Sequence, residues 1–514
     1  MYVLKKAFLR QDLRKNHKFV AMGFYLSRWR PAKNMSTPRT NQDFRFSDCS
    51  DEKYHKVIDK IYSLVNFEHS DIGKSRDEIH LKRITDACQL LGNPQKKVPT
   101  IHVAGTKGKG STAALIAAIL QGSGYKVGLY TSPHLQTLRE RIQINFSPIG
   151  EGSLVELAEK TFPILEKNWK TQKPLTFFET MTLFSFVHFA SNNVDFQVIE
   201  TGIGGRLDAT NVVDPCLSVI TPISIDHTNL LGETVELIAQ EKAGIIKPET
   251  PVVVSGQKVK ALKVLYKVAG KQNARLINTQ SEIRIKTIKE SAKGQHIEYT
   301  MGENTLPCFL PLIGQHQSEN LATALVALKT LGVSPEKGLK KAVRFLKLPG
   351  RLQLLETKSR LFILDVAHNS ISIQKLTATI KKTFKNYSFN IIFGMTAGHD
   401  ADSVLIELAK LNPTLFPVEH FHPKAVNPED IAQKAISHGV KVCYNKSQSS
   451  IETVLKKNFL QAKEKDLVIV TGSFSVVGEA KGILRPSEAK ENLYEHQLNI
   501  NKILKKRSLL EDYD

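Results

Sequence analysis

Between positions 105 and 112 the chain reads Gly-Thr-Lys-Gly-Lys-Gly-Ser-Thr. Glycines let a backbone approach a ligand closely. Amides at the entry to a helix point at an anion, and a lysine adds a point charge. This is the chemistry of a phosphate cradle, with Gly105, Thr106, Lys107, Gly108, Lys109, Gly110, Ser111 and Thr112 as its contacts. Two departures from the usual phosphate loop matter. Val103 stands where the loop's first glycine falls, and Gly110 stands where a hydroxyl ordinarily holds Mg²⁺. Another residue must then supply that ligand, and Ser132, beyond the next apolar run, is the candidate. The competing reading, a glycine-rich turn with no ligand, is opposed by the agreement of strand, glycines, lysine and hydroxyls.

Three further residues have types that do chemistry. Glu200 ends the apolar run 196–200, where a carboxylate is costly unless it is paired or on a metal. His227 follows Asp226; on composition alone a capping or core histidine is favoured over a ligand. Lys242 lies near the end of a helical stretch before Gly244, where a surface lysine complementing the helix dipole is the plain reading.

These residues need elements to hold them. Residues 98–104, 127–131, 196–200, 217–222 and 251–255 read as short buried strands, rich in β-branched residues. Helical periodicity marks 56–65, 79–91, 112–121 and 234–242. Strands alternating with helices predict a parallel sheet covered on both faces, with ligands at the carboxyl ends of its strands. A second set of strands, at 361–366, 389–393 and 467–470, follows Pro349-Gly350 and predicts a smaller α/β domain behind a Pro-Gly hinge. The division expected is a basic extension over 1–45, a nucleotide-binding domain over 46–346, an α/β domain over 347–485 and a charged tail over 486–514.

The 514 residues exceed one ordinary core, and no apolar run reaches the roughly 18 residues that span a bilayer. The run 113–120 reads as a buried helix. Net charge is +21, which suits anionic ligands. The basic residues are scattered and no nucleic-acid module is recognisable, so neither nucleic acid nor membrane is expected as a partner. Cys49, Cys88, Cys216, Cys308 and Cys443 lie far apart, without the spacing of a zinc site or a disulfide framework. The first forty residues hold ten lysines and arginines against one acid, Asp12. That fits an organelle transit peptide, a disordered basic extension, or a true start at Met22 or Met35. The expected location is therefore cytoplasmic, or mitochondrial or another organelle if the leader is a transit peptide.

Several long motifs now occur in one order: Gly105–Ser111, Thr131-Ser-Pro-His-Leu135, Arg139-Glu-Arg141, Glu200-Thr-Gly-Ile-Gly-Gly-Arg-Leu-Asp-Ala-Thr-Asn211, Asp226-His227 and Glu241–Pro248. Gly314–Asn320, Pro349-Gly-Arg351, Asp365-Val-Ala-His-Asn369 and Thr471-Gly-Ser473 follow. Over roughly residues 55–480 the chain resembles the folylpolyglutamate synthases and bifunctional dihydrofolate synthases of the Mur ligase superfamily. The resemblance implies a phosphate-loop, Mur-ligase-like domain followed by a Rossmann-like one. It implies an ATP-dependent ligase that forms an acyl phosphate on a folate or dihydropteroate carboxylate and passes the acyl group to L-glutamate, acting as a monomer.

By the same resemblance, two Mg²⁺ ions are held by Ser132, Glu200 and His227, and Lys242 is carbamylated to serve the second ion. Lys109, His227, Lys242 and His368 would be catalytic. Asn320, Arg351 and Asp365 would hold adenine, phosphate and ribose. Thr176, Phe177, Phe178, Glu179 and Leu207 would form the pterin-side pocket, where rings offer a stacking surface. Rival readings remain for some of these residues: an ion pair between Arg351 and Asp365, and ordinary helix packing for Phe177. A peptidoglycan-type ligase lacks the 131–135 pattern in this form. A non-catalytic nucleotide switch or a basic nucleic-acid-binding protein is the alternative of another class.

Overall fold

The structure is a computed structural model that describes residues 51–64, 79–169, 173–346, 348–357, 360–422, 424–459 and 466–485. The basic leader and the charged tail lie outside these residues. Among the described residues no helix is long and apolar enough to cross a membrane.

An eight-stranded sheet organises the larger part. Its strands are β1 (Thr100–Ala104), β2 (Val127–Tyr130), β3 (Ile142–Ile144), β4 (Ser147–Pro148), β5 (Phe196–Glu200), β6 (Leu217–Ile220), β7 (Val252–Val254) and β8 (Leu276–Asn278), in the order β4-β3-β2-β5-β1-β6-β7-β8. β1 lies between β5 and β6, parallel to both, with Val103 opposite Glu200 on one side and Val219 on the other. All of its residues are buried, as a strand covered on two faces requires. The helix Lys109–Gly122 covers one face. Its stretch 111–120 is buried all round, which explains an apolar run with no polar side. The helices Glu151–Trp169 and Phe177–Ser191 close the other face around Phe162, Phe184 and Phe186. The chain crosses from β1 to β2 over the place later filled by β5. The crevice beyond the end of β1 is thus a topological switch point.

The strands expected from sequence are present, most of them trimmed by a residue or two at their ends. The helix after the phosphate loop begins at Lys109 rather than Thr112. Two features were not anticipated. β3 and β4 are antiparallel edge strands, and a separate antiparallel sheet of β9 (Arg284–Ser291), β10 (Gly294–Met301) and β11 (Asn304–Leu310) precedes the helix Gln315–Thr330. Its strands alternate half-buried with exposed residues, a weaker signal than the continuous apolar runs of the main sheet.

The smaller part is a six-stranded sheet, β12 (Gln353–Glu356), β13 (Leu361–Leu364), β14 (Ser388–Phe393), β15 (Thr414–Pro417), β16 (Lys441–Val442) and β17 (Asp466–Thr471), in the order β12-β13-β17-β14-β15-β16. It is parallel apart from β12 and carries a core on each face. The Pro349-Gly350 pair forms a turn anchored to the smaller sheet. The Gly350 carbonyl accepts from the Val366 amide at 2.9 Å, and its amide donates to Gln353 Oε1 at 3.1 Å. The two parts meet directly. Leu135 reaches over to the helix Phe474–Leu484, where a Cβ on Gly478 would stand 2.2 Å from the Leu135 carbonyl oxygen.

Candidate active site

The phosphate loop leaves β1 and turns into its helix at Gly108, whose φ of 85° lies in the left-handed region. A Cβ there would stand 2.5 Å from Asn320 Oδ1, so backbone conformation and space both demand glycine. Gly108 caps the helix with no side-chain bond. The first-turn amides at 109–111 have no intrahelical acceptor and suit an anion. Thr106 and Lys107 line the cavity with the rest of the loop, but both of their amides donate to the Pro222 carbonyl, at 3.0 and 3.2 Å. Lys107 Nζ also pairs with Asp226 at 2.8 Å. These two residues fix the loop to the β6 end and leave the amides from Lys109 onward to meet phosphate. Thr112 is fully buried and hydrogen-bonds Asn320 Oδ1 at 3.4 Å.

Glu200 ends β5 beside this loop, only 4% exposed, and its Oε2 accepts from the Ser132 amide at 3.0 Å. No ion pair reaches Glu200 within 4.0 Å among the described residues. Burial pushes its carboxyl above the ordinary value, against the pull of Lys109, the Ser132 amide, Arg351 and Arg141. A Cβ on Gly110 would lie 3.2 Å from Oε2. Glycine at the position of the missing hydroxyl therefore keeps the space beside the carboxylate clear.

His227 caps a short helix with a left-handed φ of 50°, and its side chain is 51% exposed. Burial lowers its pKa, opposed by Asp226 and reinforced by Lys109, Lys242 and Lys107. Asp226 is pushed up by burial, but Lys107, His227 and His368 hold it below its ordinary value.

Lys242 overturns the surface reading. It is 3% exposed, and its Nζ donates to the Gly105 carbonyl at 2.8 Å. Burial, with Lys109 beside it, brings its pKa down to about 7. A buried amine that is about half neutral at pH 7 lies directly beneath the phosphate loop.

The acid-side pocket begins with a capping box. Thr176 Oγ1 accepts from the Glu179 amide at 3.2 Å, and Glu179 Oε2 accepts from the Thr176 amide at 2.8 Å. Glu179 also takes Arg83 Nη2 at 3.1 Å in a buried pair. Phe177 stacks on the Tyr62 ring, at 5.4 Å, and has the Arg141 guanidinium over its ring, at 4.9 Å. Phe178 is only part-buried and lines the cavity, together with Leu207. All four residues of 176–179 line the cavity; Thr176 and Glu179 are also tied by capping and Phe177 by packing, while Phe178, its ring against Tyr130, is only part-buried. Phe177→Ala is expected to lower stability by about 3 kcal/mol or more, read by denaturant unfolding. Phe178→Ala should cost less stability, since that ring is only part-buried against Tyr130 and the neighbouring core, and raise the KM for the acid.

The second sheet supplies the opposite wall from the carboxyl ends of β13, β14 and β17. Asp365 follows β13 and accepts from the Leu352 and Ala367 amides at 2.8 and 2.9 Å. Among the described residues it forms no ion pair with Arg351 within 4.0 Å, which weakens the ion-pair reading. Arg351 instead lies over the Phe474 ring at 5.3 Å. His368 Nδ1 donates to the Val366 carbonyl at 2.9 Å, which leaves Nε2 as acceptor. Burial brings its pKa to about 4, so the imidazole is neutral. Asn320 lies buried on the helix Gln315–Thr330 and donates to Gln317 Oε1 at 3.0 Å.

Between the two walls lies a cavity of about 870 Å³, within the range of small-molecule sites. It is lined by Lys109, Ser132, Glu200, His227, Asn320 and Arg351, and by Asp365, His368, Phe178 and Leu207. Residues named separately from the sequence, more than 200 positions apart, converge here.

Family models describe the two parts in turn: the Mur ligase middle domain matches residues 103–328, and the Mur ligase glutamate ligase domain matches residues 350–474. The dihydrofolate synthase/folylpolyglutamate synthase of Bacillus subtilis is 34% identical over 424 residues, covering 79% of this chain and 95% of that protein. The chain belongs to the dihydrofolate synthase/folylpolyglutamate synthase family of Mur ligases. Solved members share the architecture. The folylpolyglutamate synthase of Thermotoga maritima superposes with a TM-score of 0.74 at 31% identity, over 86% of this chain and 99% of that one. Escherichia coli FolC, solved in complex with DHPP and ADP, gives 0.71 at 30% identity, over 84% and 98%.

Against the family's order of motifs, sequence reasoning left several wall residues without a role. Arg83, Asp208, His316, Lys375, His399 and Ser475 all line the cavity. Asp208 carried a signal, being a carboxylate inside the quoted 200–211 motif; it accepts from the Ile203 amide and from Thr210. His316 likewise lies inside the quoted Gly314–Asn320 motif, whereas Arg83, Lys375, His399 and Ser475 fall outside every quoted motif.

Proposed function

We propose that this chain uses ATP to activate the carboxylate of dihydropteroate or a reduced folate and joins it to the α-amino group of L-glutamate. The observation that carries this is one cavity with a phosphate-loop helix end on one wall, an open aromatic ring beside it and a glutamate-ligase-type domain opposite. The γ-phosphoryl group passes to the carboxylate, and the acyl phosphate formed is attacked by the amine with departure of phosphate. Lys109 and the helix-end amides neutralise charge on the moving group. Asn320, Arg351 and Asp365 hold the nucleotide. Phe178 and Leu207 hold the flat ring of the acid. The two walls keep water from the acyl phosphate.

The residues present fit Mg²⁺. Glu200 is a buried carboxylate with space beside it, next to Ser132. Among the described residues no three His, Cys, Asp or Glu side chains form a closed cage, and Mg²⁺ favours one or two carboxylates completed by phosphates and water. Ser132 and Glu200 would hold one ion, and His227 with Lys242 as its carbamate a second. When bound, the metal supplies positive charge to the phosphates. We further infer a monomer. Its location is cytoplasmic, or mitochondrial or another organelle if residues 1–45 are a transit peptide.

The test is ADP release with dihydropteroate or tetrahydrofolate, measured with and without glutamate. Release that depends on both acid and glutamate is expected, and release indifferent to both would refute the ligase reading. Salt-sensitive binding to nucleic acid with no such release would support the alternative of a basic nucleic-acid-binding protein.

A further inference from the structure

The amine that attacks the acyl phosphate arrives as an ammonium ion and must lose a proton first. On the wall opposite the phosphate loop, the end of β17 enters the helix Phe474–Leu484 through Ser473 and Ser475, both of which line the cavity. Behind them lies His420, 3% exposed, just beyond the end of β15 and packed on Gly394, where a Cβ would stand 2.9 Å from its ring.

The hydrogen bonds here have a determined direction. The Met395 carbonyl can only accept, so His420 Nε2, at 3.2 Å, carries the ring proton. In the neutral ring that the relay requires, Nδ1 is the acceptor, and Ser475 Oγ, at 2.7 Å, donates to it. With that proton committed, Ser475 Oγ accepts from Ser473 Oγ at 3.0 Å, while Ser473 Oγ accepts from the Val476 amide at 3.2 Å. One lone pair is left on Ser475 Oγ for a donor arriving from the cavity. That arrangement suits an ammonium and not a carboxylate.

We propose that Ser475 and His420 form a relay that takes the proton from the incoming amino acid. Ser475 Oγ accepts a proton from the ammonium as its own passes to His420 Nδ1, giving a neutral amine and an imidazolium. The amine's lone pair then forms the C–N bond, and the C–O bond to phosphate breaks. The second nitrogen proton leaves with the phosphate, and the imidazolium returns its proton to water when the products depart. Ser475 touches the substrate, whereas His420 acts through it. The relay rests on the ligase reading given above.

Hydroxylamine separates this role from a structural one. It intercepts acyl phosphates as a hydroxamate and is already neutral at neutral pH, so it needs no proton acceptor. In the full chain with ATP, Mg²⁺ and tetrahydrofolate or dihydropteroate, Ser475→Ala is expected to lower kcat with glutamate about a hundredfold, the low end for a lost acid–base group. The KM for glutamate should hold, and hydroxamate formation should stay within about threefold of wild type, since removing the relay spares the acyl-phosphate step. Ser475→Thr, which keeps the hydroxyl, should restore turnover, and His420→Gln should behave as Ser475→Ala. Undiminished glutamate turnover in Ser475→Ala would overturn the relay. So would hydroxamate formation falling in step with ligation, or a loss carried by the KM for glutamate alone. Absence of acid-dependent ADP release in the wild type would remove the ligase reading itself.

Discussion

Lys109→Ala is expected to reduce ATP-dependent glutamate incorporation about a thousandfold, the upper range for one preorganised charge, while the fold survives. Lys109 opens the helix 109–122 as its first residue and makes no ion pair among the described residues. Its removal breaks no ion pair, although the buried Glu200 loses a favourable charge beside it. Alanine is also the best helix former, so the first turn loses nothing in propensity. What is lost is a positive charge where phosphoryl transfer concentrates negative charge, on a wall shared with the buried Glu200. Kinetics and calorimetry on the same preparation check both halves: the rate should collapse, and the melting temperature should move by no more than about 3 °C. Near-normal turnover in a folded variant would withdraw the phosphate-loop assignment. A Lys109→Arg variant sharpens the result, since a fork of donors does not replace a compact ammonium against close-packed amides.

That prediction was legible in the sequence because its parts are local. A strand, a glycine turn and a lysine at a helix start lie within a dozen residues. Glu200 was legible for a related reason: a carboxylate closing an apolar strand stands out against its neighbours. Lys242 was not. Helical periodicity placed it near a helix end, where most lysines are solvated. Only the packing of the helix Val235–Ala243 under the phosphate loop, between the 202–206 turn and β6, buries it. The Thr176–Glu179 tetrapeptide lines the cavity as expected and carries a second role that was passed over, since its spacing is itself the capping-box pattern. Ser475 and His420 lie 55 positions apart on different elements, and no spacing rule joins them. The strand order that sets the ends of β15 and β17 near one another is a tertiary property. The edge strands and the β9–β11 sheet were missed because they are short or alternating and carry no motif.

Stability and activity should part company at Lys242. Its folded pKa of about 7 lies below the unfolded value of 10.5, so above pH 7 the folded chain gives up a proton that the unfolded chain still holds. Between those values the unfolded state binds more protons, and stability rises with pH. Below pH 7 both states are charged, and the full cost of burying the ammonium is present. Lys242→Met keeps the volume and removes that cost, at the loss of one hydrogen bond to the Gly105 carbonyl. In buffer free of carbon dioxide, the stability of the variant relative to wild type is therefore expected to be greatest near pH 6 and to shrink steadily toward pH 10. A difference independent of pH would mean that the amine is solvated and charged in the folded protein. Activity should move the other way. The neutral amine can add to carbon dioxide, with loss of a proton, to give the carbamate anion proposed for the second metal. Methionine cannot do so, and ligation should fall about a hundredfold or more, as for loss of other charged groups at reacting centres. Intact-protein mass of the wild type in bicarbonate, with a gain of one carbon dioxide that Lys242→Met lacks, would tie the two effects to the same nitrogen. A wild-type mass unchanged in bicarbonate, together with full activity in the variant, would reduce Lys242 to a prop for the phosphate loop.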